Sequence, residues 1–424
     1  MTPNELRTPD YFVFSKAEPT QFHGQPSARH SALLHSERLL LCALSHTNPM
    51  LFAAFRQDTA ASASLALWLL LSCCLTTPLV CEACRKIVMK AMVLPKIVSL
   101  DEVESPLELV DLPIPVAGGG EVLIRVSACG VCHTELDEIE GRTAPPHFPV
   151  VLGHEVVGRV EQVGNEVTKL REGDRVGVGW IHSSTGEADE NVSSEFRATG
   201  RDVNGGYAEY MTVSEDYAYP IPSSFSDEHA APLLCAGAIG YRALKLTGIR
   251  DGECLGLTGF GGSAHLVLQL TRHLFPNAKV YVFARDDTSR DFARKLGAEW
   301  AGDTTDRAPE RLHAIIDTTP AWMPVVEALA NLRPGGRLVI NAIRKEDADR
   351  QYLLNLNYRE HLWMEKEIKT VANITQHDIR EFLPLAAIIP IKPEVETYSL
   401  EDANRALTEL KHHNVKGAKV LVIK

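Results

Sequence analysis

Cys132, His154 and Cys235 are side chains of the types that bind zinc. They lie in three separate stretches of the chain, residues 128–134, 153–158 and 234–237. Two thiolates and one imidazole suit Zn²⁺ and leave the fourth position of a tetrahedral site free. A closed structural site would more often have its cysteines in close pairs. The three residues therefore predict a metal that handles substrate.

A glycine-rich turn follows Cys235 along the chain and contains Gly259, Gly261, Gly262 and Ala264. Such glycines permit a tight turn and a close approach of the backbone to a pyrophosphate at the positive end of a helix. The spacing alone is weak, and a plain turn between a strand and a helix is the alternative. Because this turn follows a predicted strand and opens a predicted helix, it predicts dinucleotide binding. Zinc beside a nicotinamide cofactor indicates hydride transfer to or from a carbonyl carbon.

The end of the second predicted strand bears on the choice of cofactor. An NAD site usually has Asp or Glu there to accept hydrogen bonds from the ribose 2′-hydroxyl. Here Ala284 removes that carboxylate, and Arg285 could pair with a 2′-phosphate. Asp286 and Asp287 follow and would repel a phosphate if they turned inward. The pattern favours NADP(H) over NAD(H).

The segments that must position these residues differ in pattern. Short strands with Pro- and Gly-rich connections before Cys235 predict a small, mainly β domain. After it, strands alternate with helices, which predicts an α/β fold with a doubly wound parallel sheet and right-handed crossovers. The tail is expected to return to the β domain through a helix at 400–410 and a final strand at 418–423. The predicted domains are 89–235 with 373–424, and 236–372.

Composition narrows the function classes. The 424 residues carry a formal net charge of −12, which excludes a typical duplex nucleic-acid partner and its basic face. The nine cysteines form no evenly spaced framework, so we expect reduced thiols and a cytoplasmic protein. Cys129 and Cys132 form a Cys-x-x-Cys pair. A thioredoxin-like role is disfavoured because the pair does not open the helix of a βαβ unit.

Residues 1–88 look unlike the rest and are predicted to be a disordered extension. Within them, 59–80 contains no charged residue and is long enough to cross a bilayer. Translation starting near Met89 or Met92 is the favoured explanation. A membrane anchor and a cleaved targeting segment are the alternatives, and contact with a membrane is expected only if 59–80 is a real anchor.

Over residues 89–424 the chain resembles the zinc-dependent medium-chain alcohol dehydrogenases, close to the branch of cinnamyl alcohol dehydrogenase-like enzymes. The resemblance is carried by Gly153-His-Glu-x-x-Gly158-x5-Gly164-x-x-Val167, by Cys132-His133-Thr134 and by residues 233–241. It implies a GroES-like β-rich catalytic domain and a Rossmann cofactor domain. It also implies the interconversion of primary alcohols and aldehydes as small-molecule substrates, and a homo-oligomer that pairs its nucleotide-binding domains.

The same resemblance implies a role for each residue of the zinc site. Cys132, His154 and Cys235 would bind the catalytic zinc. Glu155 would be an adjacent carboxylate that approaches the metal during ligand exchange. Glu135 stands where relatives usually have the Asp that orients the ligating histidine.

Further roles follow for the substrate and the cofactor. Thr134 would hydrogen-bond the substrate oxygen and start a proton relay. His133 would lie near the cofactor pyrophosphate. Trp180 would form an aromatic wall of the substrate pocket, with a plain core position as the alternative. Many relatives end the relay on a histidine where this chain has Asp137, so Asp137 is a candidate terminus.

The stretch after Trp180 departs from the family pattern. Relatives commonly hold a structural zinc there with four close cysteines, and residues 181–195 contain none. We therefore expect one catalytic zinc, no structural zinc and a short acidic loop. Two rival functions stay open: a zinc-free quinone or enoyl reductase of the same superfamily, and a non-catalytic nucleotide-binding protein.

Overall fold

The computed structural model describes residues 88–389, 391–412 and 417–424. The predicted extension, including 59–80, lies outside the described residues except for Val88. Among the helices of the described ranges, none combines the length and the apolar content that a membrane crossing requires.

Short strands occupy the part of the chain before Cys235, as the Pro- and Gly-rich spacing predicts. They are β1 (Val88–Leu94), β2 (Glu108–Pro113), β3 (Glu121–Val131), β4 (Val150–Val151), β5 (Val156–Val163), β6 (Arg175–Val178), β7 (Ile181–Ser183), β8 (Arg197–Ala198), β9 (Tyr210–Ser214) and β10 (Ala218–Pro220). Strand β1 lies between β2 and β4 in one sheet, and β7 pairs with β8 in another. These pairings are antiparallel.

A parallel sheet follows. Its strands are β11 (Cys254–Thr258), β12 (Lys279–Phe283), β13 (Trp300–Gly302), β14 (Leu312–Asp317), β15 (Leu332–Ile340) and β16 (Glu367–Thr370). The strand order is β13-β12-β11-β14-β15-β16, and neighbouring strands run parallel. Strand β11 is buried along its whole length, as expected for a parallel sheet covered on both faces. The order reverses between β11 and β14, which is where dinucleotides bind in doubly wound folds. The predicted fold class is confirmed.

The tail returns to the antiparallel sheet, as predicted. Strands β17 (Val395–Ser399) and β18 (Ala418–Val422) pair in parallel, and β18 lies beside β3. The resulting sheet has the order β10-β6-β5-β3-β18-β17, with β9 also paired to β3. The chain thus closes the sheet whose central strand leads to Cys132.

The α-helices are α1 (His133–Ile139), α2 (Asp227–Ala230), α3 (Ala236–Thr247), α4 (Ala264–Leu274), α5 (Asp287–Lys295), α6 (Met323–Asn331), α7 (Gln376–Ile388) and α8 (Ala403–His412). The helix predicted at 400–410 is instead a 3₁₀ turn at Leu400–Asp402 that leads into α8. Helix α7 was not predicted, and Pro384 lies inside it. It forms because Thr375 and Asp378 close a capping box at its start.

Candidate active site

Cys132 lies at the junction of a strand and a helix. Strand β3 ends at Val131, and α1 begins at His133 with Cys132 as its N-cap. The Cys132 Sγ accepts a hydrogen bond from the Thr134 backbone N–H at 3.4 Å, and Glu135 Oε2 accepts one from the Cys132 N–H at 2.9 Å. This capping box fixes the direction of the thiol.

His154 lies in the turn between β4 and β5 and is 1% exposed. Its Nδ1 is 2.6 Å from Oε1 of Glu135, and its Nε2 is 3.5 Å from the Sγ of Cys132. Glu135 thereby contacts both predicted ligands. A carboxylate behind a ligating histidine fixes the ring and directs the other nitrogen toward a metal.

Cys235 completes the cluster as the N-cap residue of α3, after a 3₁₀ turn at Ala231–Leu234. One ligand atom from each of Cys132, His154, Glu155 and Cys235 lies within 4.8 Å of the others. The structure therefore brings together three residues that are distant in sequence, as predicted. Glu155 is itself one of the four residues of the cluster.

The electrostatics of the cluster favour a cation. A hydrogen bond with Cys235 and burial raise the pKa of Cys132 well above its usual range. Desolvation lowers the pKa of His154, but nearby Glu135 and Cys132 outweigh it and raise the pKa. Burial raises the pKa of Glu155 to about 7. Positive charge among these groups would stabilise the thiolates and the carboxylate, as metals do for their ligands.

The donor set fits a zinc ion. Bonds of about 2.3 Å to sulfur and about 2.0 Å to nitrogen in a tetrahedral site place the two donor atoms about 3.5 Å apart. The Sγ of Cys132 and the Nε2 of His154 have that separation, 3.5 Å. The buried imidazole of His154 and the half-buried thiols of Cys132 and Cys235 match the donors of a zinc site that keeps access for a substrate.

Cys129 does not share this environment. It is fully buried in β3, and desolvation with nearby carboxylates raises the pKa of its thiol well above the usual value. Cys132 does open a helix, which the sequence analysis did not expect, but β3 belongs to an antiparallel sheet and not to a βαβ unit. A redox pair needs a thiol whose pKa is lowered, so the structure offers no support for that role.

The predicted substrate residues surround the cluster. Thr134 is 8% exposed and lies on the first turn of α1. The Trp180 ring is 6.1 Å from that of His154 and meets Phe196 edge-on at 5.5 Å, measured between centroids. The Arg201 guanidinium lies 5.8 Å from the Trp180 centroid. Trp180 is only half-buried, so it can present a face to a substrate.

His133 and Asp137 lie on the same helix in different surroundings. His133 is exposed at the start of α1, and partial desolvation with nearby Arg344 lowers its pKa. Asp137 has a side chain that is 1% exposed, and its Oδ1 contacts Arg142 at 2.5 Å and also Arg344. The candidate relay terminus is thus enclosed by two guanidinium groups.

The glycine turn joins β11 to α4, as predicted. Gly259 has a φ of +77°, and a side chain there would collide with Thr318 and Thr319. A Cβ at Gly261 or Gly262 would meet no atom within 4 Å, which leaves room for a ligand to approach the backbone. Ala264 is the first residue of α4 and is fully buried.

The residues at the end of β12 differ in exposure and in their contacts. Ala284 is buried and Arg285 is exposed. Asp286 is the N-cap of α5 and accepts the Ser289 N–H at 2.8 Å, while Asp287 pairs with Arg290. Both carboxylates are engaged in the first turn of α5.

The segment at 181–195 contains more structure than the predicted loop. It includes β7 and a 3₁₀ turn at Glu190–Val192. Glu190 is fully buried and accepts hydrogen bonds from the Tyr217 hydroxyl at 2.7 Å and the Gln376 backbone N–H at 2.5 Å. A carboxylate therefore ties this lobe to the N-terminus of α7.

Sequence reasoning missed several charged residues near the site. Glu138 is fully buried on α1, and burial raises its pKa well above the usual range. Arg344 and Lys345 reach Asp137 and Asp317 from the segment after β15. Local patterns carry no signal for these pairs, since each partner is distant in sequence.

Residues 118–223 match the family described as "Alcohol dehydrogenase GroES-like domain". The chain is 40% identical over 329 residues to the Probable alcohol dehydrogenase AdhA of Mycobacterium tuberculosis, covering 75% of this chain and 93% of the relative. It is 32% identical over 344 residues to an alcohol dehydrogenase of Geobacillus stearothermophilus, covering 76% and 98%.

Solved structures are similar along the same part of the chain. A cinnamyl alcohol dehydrogenase from Sorghum bicolor matches with a TM-score of 0.67 and 26% identity, over 79% of this chain and 97% of that one. The cinnamyl alcohol dehydrogenase from Helicobacter pylori complexed with NADP(H) matches with a TM-score of 0.69 and 24% identity, over 79% and 98%. At that identity the second match supports the fold alone.

Proposed function

Because the chain belongs to the zinc-dependent medium-chain alcohol dehydrogenase family, in its cinnamyl alcohol dehydrogenase-like branch, and is an oxidoreductase of alcohols and aldehydes, we propose that Cys132, His154 and Cys235 hold its catalytic zinc. We also propose NADP(H) as the preferred coenzyme and primary alcohols or aldehydes of aromatic or medium length as substrates. The zinc-binding part would span 89–235 with 373–424, and the coenzyme-binding part 236–372.

The observation that carries the proposal is the four-residue cluster within 4.8 Å, with Oε1 of Glu135 2.6 Å from Nδ1 of His154. Zinc bound there would supply Lewis acidity to the substrate oxygen. The turn at Gly259, Gly261 and Gly262 would hold a nicotinamide coenzyme, which would supply hydride chemistry at the substrate carbon. Glu155, whose carboxyl has a pKa raised to about 7 by burial, would lie beside the ligands and approach the metal during ligand exchange.

The other residues of the chain would handle the proton and the surroundings. The Thr134 hydroxyl would accept a hydrogen bond from the substrate alcohol. As the alcohol loses its proton, Thr134 would pass its own proton on toward the coenzyme ribose hydroxyl and water. The rings of Trp180 and Phe196 would exclude water from one side of the reacting carbon. The turn at Gly259 would let the coenzyme pyrophosphate approach the N-terminus of α4. The family resemblance implies that His133 would also lie near this pyrophosphate.

The preference for NADP(H) rests on Arg285. Its side chain is exposed at the end of β12, and Asp286 and Asp287 are held in α5 by Ser289 and Arg290. An exposed guanidinium pairs well with a phosphate dianion.

One zinc per chain is proposed, because residues 181–195 contain none of the four cysteines with which relatives hold a structural zinc. A cytoplasmic location is proposed from the unpaired thiols of the described residues. The retained ligand set argues against a zinc-free reductase, and the ligand set beside the glycine turn argues against a non-catalytic protein.

The test measures NADPH and NADH oxidation by the purified full chain with an aromatic aldehyde, together with its zinc content. We expect turnover that a chelator abolishes, about one zinc per chain, and loss of both in Cys132→Ser and Cys235→Ser. Cys254→Ser is the matched control and keeps both. Arg285→Ala is expected to weaken NADPH binding about tenfold and to leave NADH binding unchanged. Full turnover by the metal-free chain would overturn the zinc assignment.

A further inference from the structure

Two consecutive basic residues follow strand β15 and reach different parts of the molecule. Arg344 pairs with Asp137 on α1, and Lys345 pairs with Asp317 at the end of β14. Both carboxylates are shielded from solvent, with side chains at most 1% exposed, whereas Arg344 is 21% and Lys345 10% exposed. Residues 344 and 345 thus contact both α1, the helix that follows Cys132, and the C-terminal end of strand β14 in the parallel sheet.

Arg344 is one end of a series of ion pairs. Asp137 Oδ1 accepts hydrogen bonds from the guanidinium groups of both Arg344 and Arg142, the latter at 2.5 Å. Arg142 also contacts Glu140 at 2.7 Å, and Glu140 contacts Lys411 on α8 at 2.5 Å. The two arginines share one oxygen of Asp137, and the other oxygen is buried without a partner among the described residues. These contacts hold α1 between the segment after β15 and the C-terminal helix.

Lys345 contacts the C-terminal end of the parallel sheet, where the glycine turn lies. Lys345 Nζ contacts Asp317 and donates to the carbonyls of Thr319 at 2.7 Å and Ala321 at 3.1 Å. Asp317 also accepts the hydroxyl of Thr258 at 2.6 Å, and Thr258 is the last residue of β11 before the turn. Lys345 therefore connects the ends of β11 and β14, between which the coenzyme is proposed to bind.

We propose that Arg344 and Lys345 form a clamp that sets the position of the glycine turn relative to α1 for coenzyme binding. Asp137 is then a positioning residue of this clamp and not the terminus of the proton relay. The proposal rests on the proposed function, because it assumes that the coenzyme binds at this turn.

The ion pairs of the clamp act on position more than on stability. Buried ion pairs add little net stability because desolvation offsets their attraction, but losing one partner leaves an uncompensated charge. Their contribution here is to select one arrangement of the two contacted parts. In addition, a relay must deliver its proton to water. Asp137 gives no such path, because its side chain is 1% exposed and two guanidinium groups occupy one of its oxygens.

The test is the affinity of the full chain for NADPH and NADH, measured by calorimetry for Asp137→Asn, Arg344→Gln and the double variant. Each single variant is expected to raise the coenzyme Kd about tenfold, and the double variant about as much as either alone, since they break the same contact. Arg344→Lys keeps the charge and is expected to restore part of the affinity. Arg171→Gln is the matched control: its side chain is 89% exposed, it pairs only at the surface with Asp174, and its variant stays within about twofold of the wild-type Kd.

Zinc content and the pH profile of kcat separate the clamp from other roles. Both are expected to match wild type in Asp137→Asn at saturating coenzyme, because the ligands and Thr134 are untouched. Unchanged coenzyme affinity in the single variants would overturn the clamp. A lower kcat with a lost ionisation in Asp137→Asn would instead establish Asp137 as the relay terminus. If the wild-type chain binds neither coenzyme, the proposed function itself fails, an outcome that the wild type alone reveals.

Discussion

Glu135 contacts two of the predicted zinc ligands from behind. One carboxylate oxygen lies 2.6 Å from His154 Nδ1, and the other accepts the Cys132 backbone N–H at 2.9 Å. Because it is fully buried on α1, its position is set by the helix and not by solvent. A carboxylate that contacts the free nitrogen of a metal-ligating histidine usually controls the orientation and basicity of that ligand.

We expect Glu135→Gln to weaken zinc binding about 10- to 100-fold, because the amide lacks the charge that supports His154. Competition between the protein and a chromophoric chelator measures this affinity. Glu161→Gln, at an exposed position of β5, is the matched control and should bind zinc like the wild type. Unchanged affinity in Glu135→Gln would show that this carboxylate does not support the metal site.

At the residue scale the sequence predicted the donors better than their surroundings. Cys132, His154 and Cys235 were recognisable because each lies in a local motif, and the structure brings them together. Asp137 also lies in a motif, but its environment depends on Arg344, which is 207 positions away. A local pattern specifies a residue type; only the fold specifies its charge partners.

Among the structural elements, the lobe at 181–195 departs most from the family pattern. Its buried Glu190 accepts hydrogen bonds from the Tyr217 hydroxyl and from the Gln376 N–H at the start of α7. A carboxylate at a helix N-terminus satisfies free backbone N–H groups and interacts favourably with the helix dipole. Glu190 thus connects the lobe to α7 by hydrogen bonds.

We expect Glu190→Ala to lower the free energy of unfolding by about 2 kcal/mol, because it leaves two buried donors without an acceptor. Chemical denaturation of the full chain measures the change. Glu187→Ala, an exposed acid in the same lobe, is the matched control and should change stability little. Equal stability of the two variants would show that Glu190 does not anchor the lobe.

The packing of α8 on β18 makes part of the stability dependent on pH. Hydrogen bonds from Lys419 and Tyr398 lower the pKa of Glu409 to about 2. An unfolded Glu titrates near pH 4.3, so the folded protein binds fewer protons between these values. The stabilisation is complete above about pH 4.3 and is lost as the pH falls toward about 2.

Glu409→Gln is therefore expected to make the loss of stability below about pH 4.3 less steep, since this group no longer titrates. Denaturation midpoints between neutral pH and acid measure the slope. Glu102→Gln, at an exposed position, should keep the wild-type slope. The same slope in both variants would contradict the linkage.

Elements with a strong apolar pattern were predictable from the sequence. Helices whose start depends on capping hydrogen bonds were not. The buried strands of the parallel sheet follow from apolar runs between glycines, and β11 matches its prediction to within one residue. Helix α1 is short, and its N-cap is a cysteine, which is not among the residues that usually signal a helix start. Helix α7 contains Pro384, which normally argues for a break.

At the scale of the whole molecule, no strand of the described residues pairs with the outer edge of β16 in the parallel sheet. Strand β16 pairs with β15 on one side, and all four of its residues are exposed. Ile368 in the strand, with Trp363 and Met364 just before it, adds apolar side chains to the same stretch, each about half exposed. An exposed apolar sheet edge is a template for pairing with another strand.

The edge at β16 therefore predicts a homodimer in which two parallel sheets join edge to edge, in agreement with the oligomer that the family resemblance implies. A lysine at Ile368 would place a charge in that contact, and a charge at an edge is the feature by which proteins prevent pairing.

We expect the wild-type chain to elute as a dimer or larger oligomer in light-scattering chromatography, and Ile368→Lys to shift toward monomer by at least about tenfold in Kd. Ile388→Lys, at the exposed end of α7, is the matched control and should keep the wild-type assembly. The proposed zinc ligands and the glycine turn are distant from Ile368 in sequence. Ile368→Lys should therefore retain its zinc. A monomeric wild type, or a dimer indifferent to Ile368→Lys, would show that the exposed edge is not the assembly surface.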